Sequence, residues 1–135
     1  MNQQETISIA IVKNQQNKWL ITRRQQGQHL AGKWEFPGGK VEEGEALEAA
    51  MLRELKEEVD LTAIRFELFE SLNFEYEALS LQLHFYIVSE FEGEAKGVEG
   101  QDLKWITLDA FADYVFPKAN LSVIKKLSCV AHTIS

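Results

Sequence analysis

GGKVEEGEALEAAMLRELKEEVDL, residues 38–61, overlays two patterns that an ordinary surface segment has no need to combine. Leu47, Ala50, Met51, Leu55 and Val59 recur near helical spacing, with strong helix formers between them and no internal proline or glycine. A helix is therefore expected over Glu45–Val59. Glu54, Glu57 and Glu58 stand at i, i+3 and i+4, which puts three carboxylates at neighbouring points of one helical surface while Leu55 and Val59 turn to the core. Crowding like charges destabilises a bare helix by roughly a few tenths of a kcal/mol per pair unless a cation or an arginine offsets it. A solvated acidic face is the plain alternative, since exposed acidic helices are common. The preceding glycines weigh against it. Gly38 and Gly39 permit a tight backbone path on which a carbonyl can approach the same cation as the side chains, and Gly44 can turn the chain into the helix. Hard oxygen donors suit Mg²⁺ or Mn²⁺, which can bridge protein carboxylates to phosphate oxygens. Arg53 is placed to restrain a neighbouring glutamate.

On the N-terminal side, TISIAIV reads as a strand, NQQN as a turn and KWLITRR as a second strand, together a hairpin. QQGQHLAGK, residues 25–33, has no sustained periodicity and reads as a long working loop, WEF as a short extended segment and PGG as a turn. On the C-terminal side, strands are expected over Arg65–Glu75 and Leu79–Phe91, separated by a turn at Glu77 and Ala78. Leu81, Leu83, Phe85 and Ile87 alternate with Gln82, His84 and Tyr86, giving one deeply buried face and a second that can meet a helix. EGEAKGVEGQD reads as a loop, LKWI as a strand, LDAFADY as a short helix and NLSVIKKLSCV as a terminal amphipathic helix. This order implies a mixed sheet flanked by helices.

The chain of 135 residues, 45% apolar, fits one domain over 1–135 with a sizeable core and leaves no room for a second catalytic domain. A net charge of -7 disfavours stable nucleic-acid binding as the main task, while a small anionic substrate remains possible through bound cations. Cys129 is the single cysteine and cannot form an internal disulfide. It reads as a small, partly buried residue. No signal-like or membrane-length apolar run occurs, so a cytoplasmic protein without membrane partners is expected, as a monomer.

Residues 38–61 also resemble the signature of the Nudix hydrolase family. Gly39 is followed after five residues by Glu45, then after seven by Arg53-Glu54-Leu55, with Lys56, Glu57-Glu58, Val59 and Leu61 completing the match. Asp60 departs from the glycine of that pattern. Aspartate enters the left-handed conformation less readily than glycine, so the departure bears on the loop and not on the carboxylates. The resemblance implies an α+β fold, an α/β/α sandwich around a central mixed β-sheet, and hydrolysis of a nucleoside diphosphate linked to another moiety. It implies Mg²⁺, or Mn²⁺ in its place, held by the Gly38 carbonyl and Glu54, Glu57 and Glu58. Glu54 is also a candidate for activating water, with Glu45 and Arg53 organising the motif. For Glu45 a favourable acid at a helix N-terminus is an equal alternative.

Outside the signature, ITRR, GKWEFPGGKVEEGE, RELKEEV, EGEAKGVEGQ and FPKANLSVIKKL follow the order of the branch of this family that removes oxidised guanine nucleotides. That resemblance implies a nucleoside triphosphate substrate, 8-oxo-dGTP and 8-oxo-GTP, cleaved to monophosphate and pyrophosphate. It makes Arg24 and His29 substrate-loop residues, Glu99 a further metal or water-activating carboxylate, and Phe36 and Tyr76 lining of a purine pocket. Asn120 becomes the base reader, its amide offering both a donor and an acceptor to a purine edge. Each has a plainer reading: a solvated arginine, a surface histidine, a loop acid, core aromatics and a helix-capping asparagine. A pyrophosphohydrolase for CTP, dCTP or modified pyrimidine triphosphates is the main alternative, although some pyrimidine-preferring relatives carry aspartate where this chain has Asn120. A non-catalytic nucleotide sensor is the other.

Overall fold

The computed structural model describes residues 3–25 and 32–134, with side chains as far as Cys129. Strand β1 (Gln3–Val12) lies between β4 (Gly38–Lys40), antiparallel to it, and β6 (Leu79–Glu92), parallel to it. Strand β5 (Thr62–Tyr76) pairs antiparallel with β6, giving a mixed sheet of order β4-β1-β6-β5. A second sheet has the order β3-β2-β7, from Trp34–Glu35, Trp19–Arg23 and Leu103–Ile106. Two helices, α1 (Leu47–Val59) and α2 (Lys118–Ile134), accompany them, with a 3-10 helix at Leu108–Asp113.

Period-two alternation assigns the two sides of the mixed sheet. Ile9, Ile11, Leu83 and Phe85 share one apolar cluster with Ala119, Val123 and Leu127 of α2. Ala10, Val12, Tyr86 and Val88 share the other with Met51, Leu55 and Val59 of α1. Phe85 and Tyr86 therefore belong to opposite faces, and the expected second face of β6 does meet a helix. The result is an α/β/α sandwich around a mixed sheet. Leu55 is fully buried, and its removal from water stabilises the layer by roughly 1.5–3 kcal/mol. Among the described residues no helix is long and apolar enough to cross a membrane.

Four sequence expectations are corrected. The first two strands form no hairpin ladder. Around the Asn14–Asn17 turn they share the isolated Lys13–Trp19 bridge and then enter different sheets, because both edges of β1 are already taken by β4 and β6. PGG is not simply a turn. Gly38 and Gly39 begin β4, and a Cβ on Gly38 would stand 2.5 Å from the Ser8 carbonyl oxygen, so glycine here serves close strand approach. The helix begins at Leu47, after Ala46, which leaves Glu45 outside its first turn. Cys129 is exposed, since Val123 and Leu127 already occupy the core-facing stripe of α2.

Asp60 caps α1 in the left-handed conformation, φ 59°, with its N–H donating to the Lys56 carbonyl. Its carboxylate pairs with Lys56 at 2.8 Å and Lys96 at 3.4 Å, and the Lys56 hydrogen bond leads in holding its pKa below the usual range. Asp60→Gly would relieve the left-handed backbone and lose two exposed ion pairs, effects of opposite sign. A Tm within about 5 °C of wild type is expected in a thermal melt. A larger loss would make the Lys56–Asp60–Lys96 linkage essential to the fold.

Candidate active site

The β3–β4 segment, α1 and the loop after β6 converge at one end of the mixed sheet. The signature residues organise around Arg53. Its guanidinium donates to Glu45 at 2.8 and 2.9 Å, to Glu54 at 2.8 Å, to Glu57 at 3.4 Å and to the Lys40 carbonyl at 3.1 Å. Glu45 is thereby a brace, not a helix-dipole acid. The hydrogen bond from Arg53, with a second from the Glu42 N–H, lowers its pKa to about 2. The Glu45 and Glu54 carboxylates push that of Arg53 upward in return.

Glu54 lies against the backbone of Gly39. A Cβ there would come within 2.4 Å of its carboxylate carbon, so a side chain at position 39 would push the Glu54 carboxylate from its present place beside Arg53. Glu58 accepts a hydrogen bond from the Gly38 N–H at 3.0 Å. Burial first, then the negative charges of Glu54 and Glu35, raise the Glu58 pKa to about 9. Glu35 is raised as well, by burial that outweighs the opposing effect of its ion pair with Arg24.

Glu99 belongs to a loop stitched to the C-terminal end of α1. The Val98 N–H and the Gln101 amide both donate to the Glu58 carbonyl, while Gln101 accepts from the Glu99 N–H and Gln25 donates to the Glu99 carbonyl. These bonds return the loop acid to the helix that carries the signature.

A cavity of about 1040 Å³ joins the remaining pieces. Glu54, Glu57, Glu58, Glu99, Gly38 and Arg24 line it at the carboxylate end, and Phe36, Tyr76 and Asn120 line it elsewhere. Arg53 is not among the lining residues and acts from behind them through Glu54 and Glu57. His29 lies outside the described residues. Asn120 is 9% exposed and is the third residue of α2, so the capping alternative fails on position. Among the described residues its side chain makes no hydrogen bond, although the amide borders the cavity. Phe36 is both core and lining, held by Phe111 and Phe116 at centroid distances of 5.9 and 5.8 Å. Tyr76 packs on Phe74 at 4.8 Å.

Glu35, Gln25 and Gln101 were missed from sequence. Glu35 carried a usable signal, an acid between Trp34 and Phe36 in a strand that enters the core, because a glutamate so placed needs a partner. The two glutamines carried none, since their role depends on how loops meet.

The donor chemistry fits a hard divalent ion. All the candidate side chains present oxygen, and the charges of Glu54 and Glu35 stand close enough to Glu58 to raise its cost of ionisation. With Glu54 and Glu57 drawn to Arg53 and Glu58 to the Gly38 amide, no three His, Cys, Asp or Glu side chains among the described residues converge on one metal position.

An 8-oxo-dGTP diphosphatase of Escherichia coli (strain K12) is 46% identical over 121 residues, covering 90% of this chain and 94% of that protein. The 8-oxo-dGTP diphosphatase of Haemophilus influenzae is 39% identical over 126 residues, with 93% of each covered. A solved MutT structure, from a study of Aliivibrio salmonicida and Vibrio cholerae, superposes with a TM-score of 0.79 at 38% identity over 92% of this chain and 96% of that one. The family model of the NUDIX domain matches residues 8–126, taking in β4, α1 and the loop that carries Glu99 as well as Asn120. On sequence and fold alike, the chain belongs to the NUDIX domain family.

Proposed function

We propose that this hydrolase converts 8-oxo-dGTP, and 8-oxo-GTP, to the monophosphate and pyrophosphate, removing oxidised guanine from the nucleotide pool. The observation that carries this reading is the single cavity in which the carboxylate cluster and the amide of Asn120 both find a place. The likeness to 8-oxo-dGTP diphosphatases supports it. Asn120 presents a donor and an acceptor to the oxidised purine edge, with Phe36 and Tyr76 forming apolar walls. Arg24, tied to Glu35, sits where it can contribute positive charge toward the phosphates.

In this reading the Gly38 carbonyl, Glu54, Glu57, Glu58 and Glu99 would hold Mg²⁺, or Mn²⁺ in its place, and a metal bound there would supply polarisation of phosphoryl oxygens and a lowered pKa of water. Glu54 and Glu99 are the two carboxylates for taking the water's proton, and Arg53 keeps Glu54 aimed through the 2.8 Å hydrogen bond. No serine or cysteine nucleophile is required. The net charge of -7 disfavours stable nucleic-acid binding, and we place the protein in the cytoplasm as a monomer of one domain.

Incubation with 8-oxo-dGTP and Mg²⁺ should release pyrophosphate and the monophosphate in equal amounts. Binding of the nucleotide with no metal-dependent release would make the protein a sensor instead.

The raised pKa of Glu58 sets a pH dependence. Below about 9 the metal-free protein holds a proton on Glu58 that a cation must displace. Apparent Mg²⁺ affinity should therefore rise with pH by up to about tenfold per unit and level off above that pKa. Calorimetric titrations at pH 7, 8, 9 and 10 read this directly. A flat profile would remove Glu58 from the binding set.

A further inference from the structure

Strand β1 sends Gln3, Glu5, Ile7 and Ile9 to the cavity, where register sets Glu5 beside Leu81 and Ile7 beside Leu83 on β6. Alternation calls for an apolar residue at position 5, continuing the isoleucine stripe over a leucine floor. The chain has a carboxylate there instead, and its side chain is only 23% exposed. A charge so placed is costly unless it is partnered. Lys40 on the rim takes one oxygen, Oε1, at 3.0 Å, and no hydrogen bond to the second oxygen occurs among the described residues. A carboxylate offers about four lone-pair sites, so most of its accepting capacity remains.

Its position suits one part of the substrate. Ser8 pairs with Gly39, against which Glu54 packs, and Glu5 is three residues further along the same strand, roughly 10 Å at the usual rise. Tyr76, a wall of the proposed base pocket, lies beyond Glu5 in the same direction, through Leu79 and Gln3, so a nucleotide with its phosphates at the carboxylate cluster would carry its base there. The far edge of guanine carries two adjacent donors, N1–H and the 2-amino group, whereas the corresponding edges of adenine and cytosine present a ring-nitrogen lone pair that a carboxylate repels.

We propose that Glu5 is a specificity-determining residue whose carboxylate accepts from N1–H and the 2-amino group of the oxidised guanine, with Lys40 orienting it. This rests on the purine reading above and adds a second contact, on the edge opposite to the one given to Asn120. Asn120 distinguishes oxidised from ordinary guanine, and Glu5 distinguishes guanine from purines that lack the 2-amino group.

The test compares kcat/KM for 8-oxo-dGTP, 8-oxo-dITP and dGTP in the wild type, Glu5→Leu and Glu5→Gln, each checked by thermal melt. 8-oxo-dITP differs from 8-oxo-dGTP only in lacking the 2-amino group. The wild type should prefer 8-oxo-dGTP over 8-oxo-dITP by at least about 5-fold, the lower end for a good base contact. In Glu5→Leu that ratio should fall toward one, and in Glu5→Gln it should fall part of the way, while the preference for 8-oxo-dGTP over dGTP persists in both. A wild type indifferent to the 2-amino group, or a Glu5→Leu variant that keeps the full ratio, overturns the role of Glu5 and leaves the purine reading standing. A wild type that hydrolyses neither oxidised purine overturns both.

Discussion

Glu58→Gln is expected to lower kcat for 8-oxo-dGTP by at least about 100-fold while leaving the metal-free fold as stable as the wild type or more so. The activity loss follows from the ligand role proposed for Glu58, given that outer-shell partners of metal sites already cost about 10- to 100-fold. The stability result follows from burial. In the unfolded chain Glu58 ionises near its ordinary 4.5, but in the folded protein burial and two neighbouring acids keep it protonated to about 9. Its contribution is thus fully present below the unfolded value and is lost as pH rises through the folded one. The penalty grows by about 1.4 kcal/mol per pH unit between the two. Glutamine keeps the size and can still accept from the Gly38 N–H, without that penalty. Melts in a chelator at pH 5, 7 and 9 should therefore show the wild type losing ground to Glu58→Gln as pH rises. A variant that turns over normally, or one that melts far below the wild type at pH 9, would contradict this account of Glu58.

Asn120→Ala is expected to reduce the preference for 8-oxo-dGTP over dGTP by roughly 5-fold to 150-fold, the 1 to 3 kcal/mol of a good bidentate base contact. Asn120 is third in α2, past the capping position, and its amide meets the cavity without a partner among the described residues. Truncation there would remove the paired recognition proposed for it and leave Glu54, Glu57 and Glu58 untouched. Both kcat/KM values and the melt belong in one experiment. A lowered Tm with an unchanged substrate ratio would reduce Asn120 to a structural residue.

The parts of the molecule legible in sequence were those set by local periodicity. The core stripe of α1 and the alternation of β6 specify which side chains turn inward, and both structural faces follow them. The LKWI strand falls at Leu103–Ile106 as expected, and LDAFADY becomes a single 3-10 helix. Pairing was not legible. Whether β1 joins β2 depends on which edges of β1 are already taken, a fact held in residues far away in the chain. The same limit applies to the site. Glu54, Glu57 and Glu58 are neighbours by helix geometry, whereas the bonds that bring Glu99 back to the Glu58 carbonyl run through Val98 and Gln101 and have no local signature. Glu5 lies just before the TISIAIV segment and has no local signature, and only the register with Leu81 places it on the cavity floor.

Values of kcat/KM for 8-oxo-dGTP, dGTP, CTP, dCTP and 5-methyl-dCTP, measured side by side with saturating Mg²⁺, test the central claim most directly. 8-oxo-dGTP is expected to be the preferred substrate, ahead of dGTP and of every cytosine nucleotide. Preference for a cytosine nucleotide would contradict it.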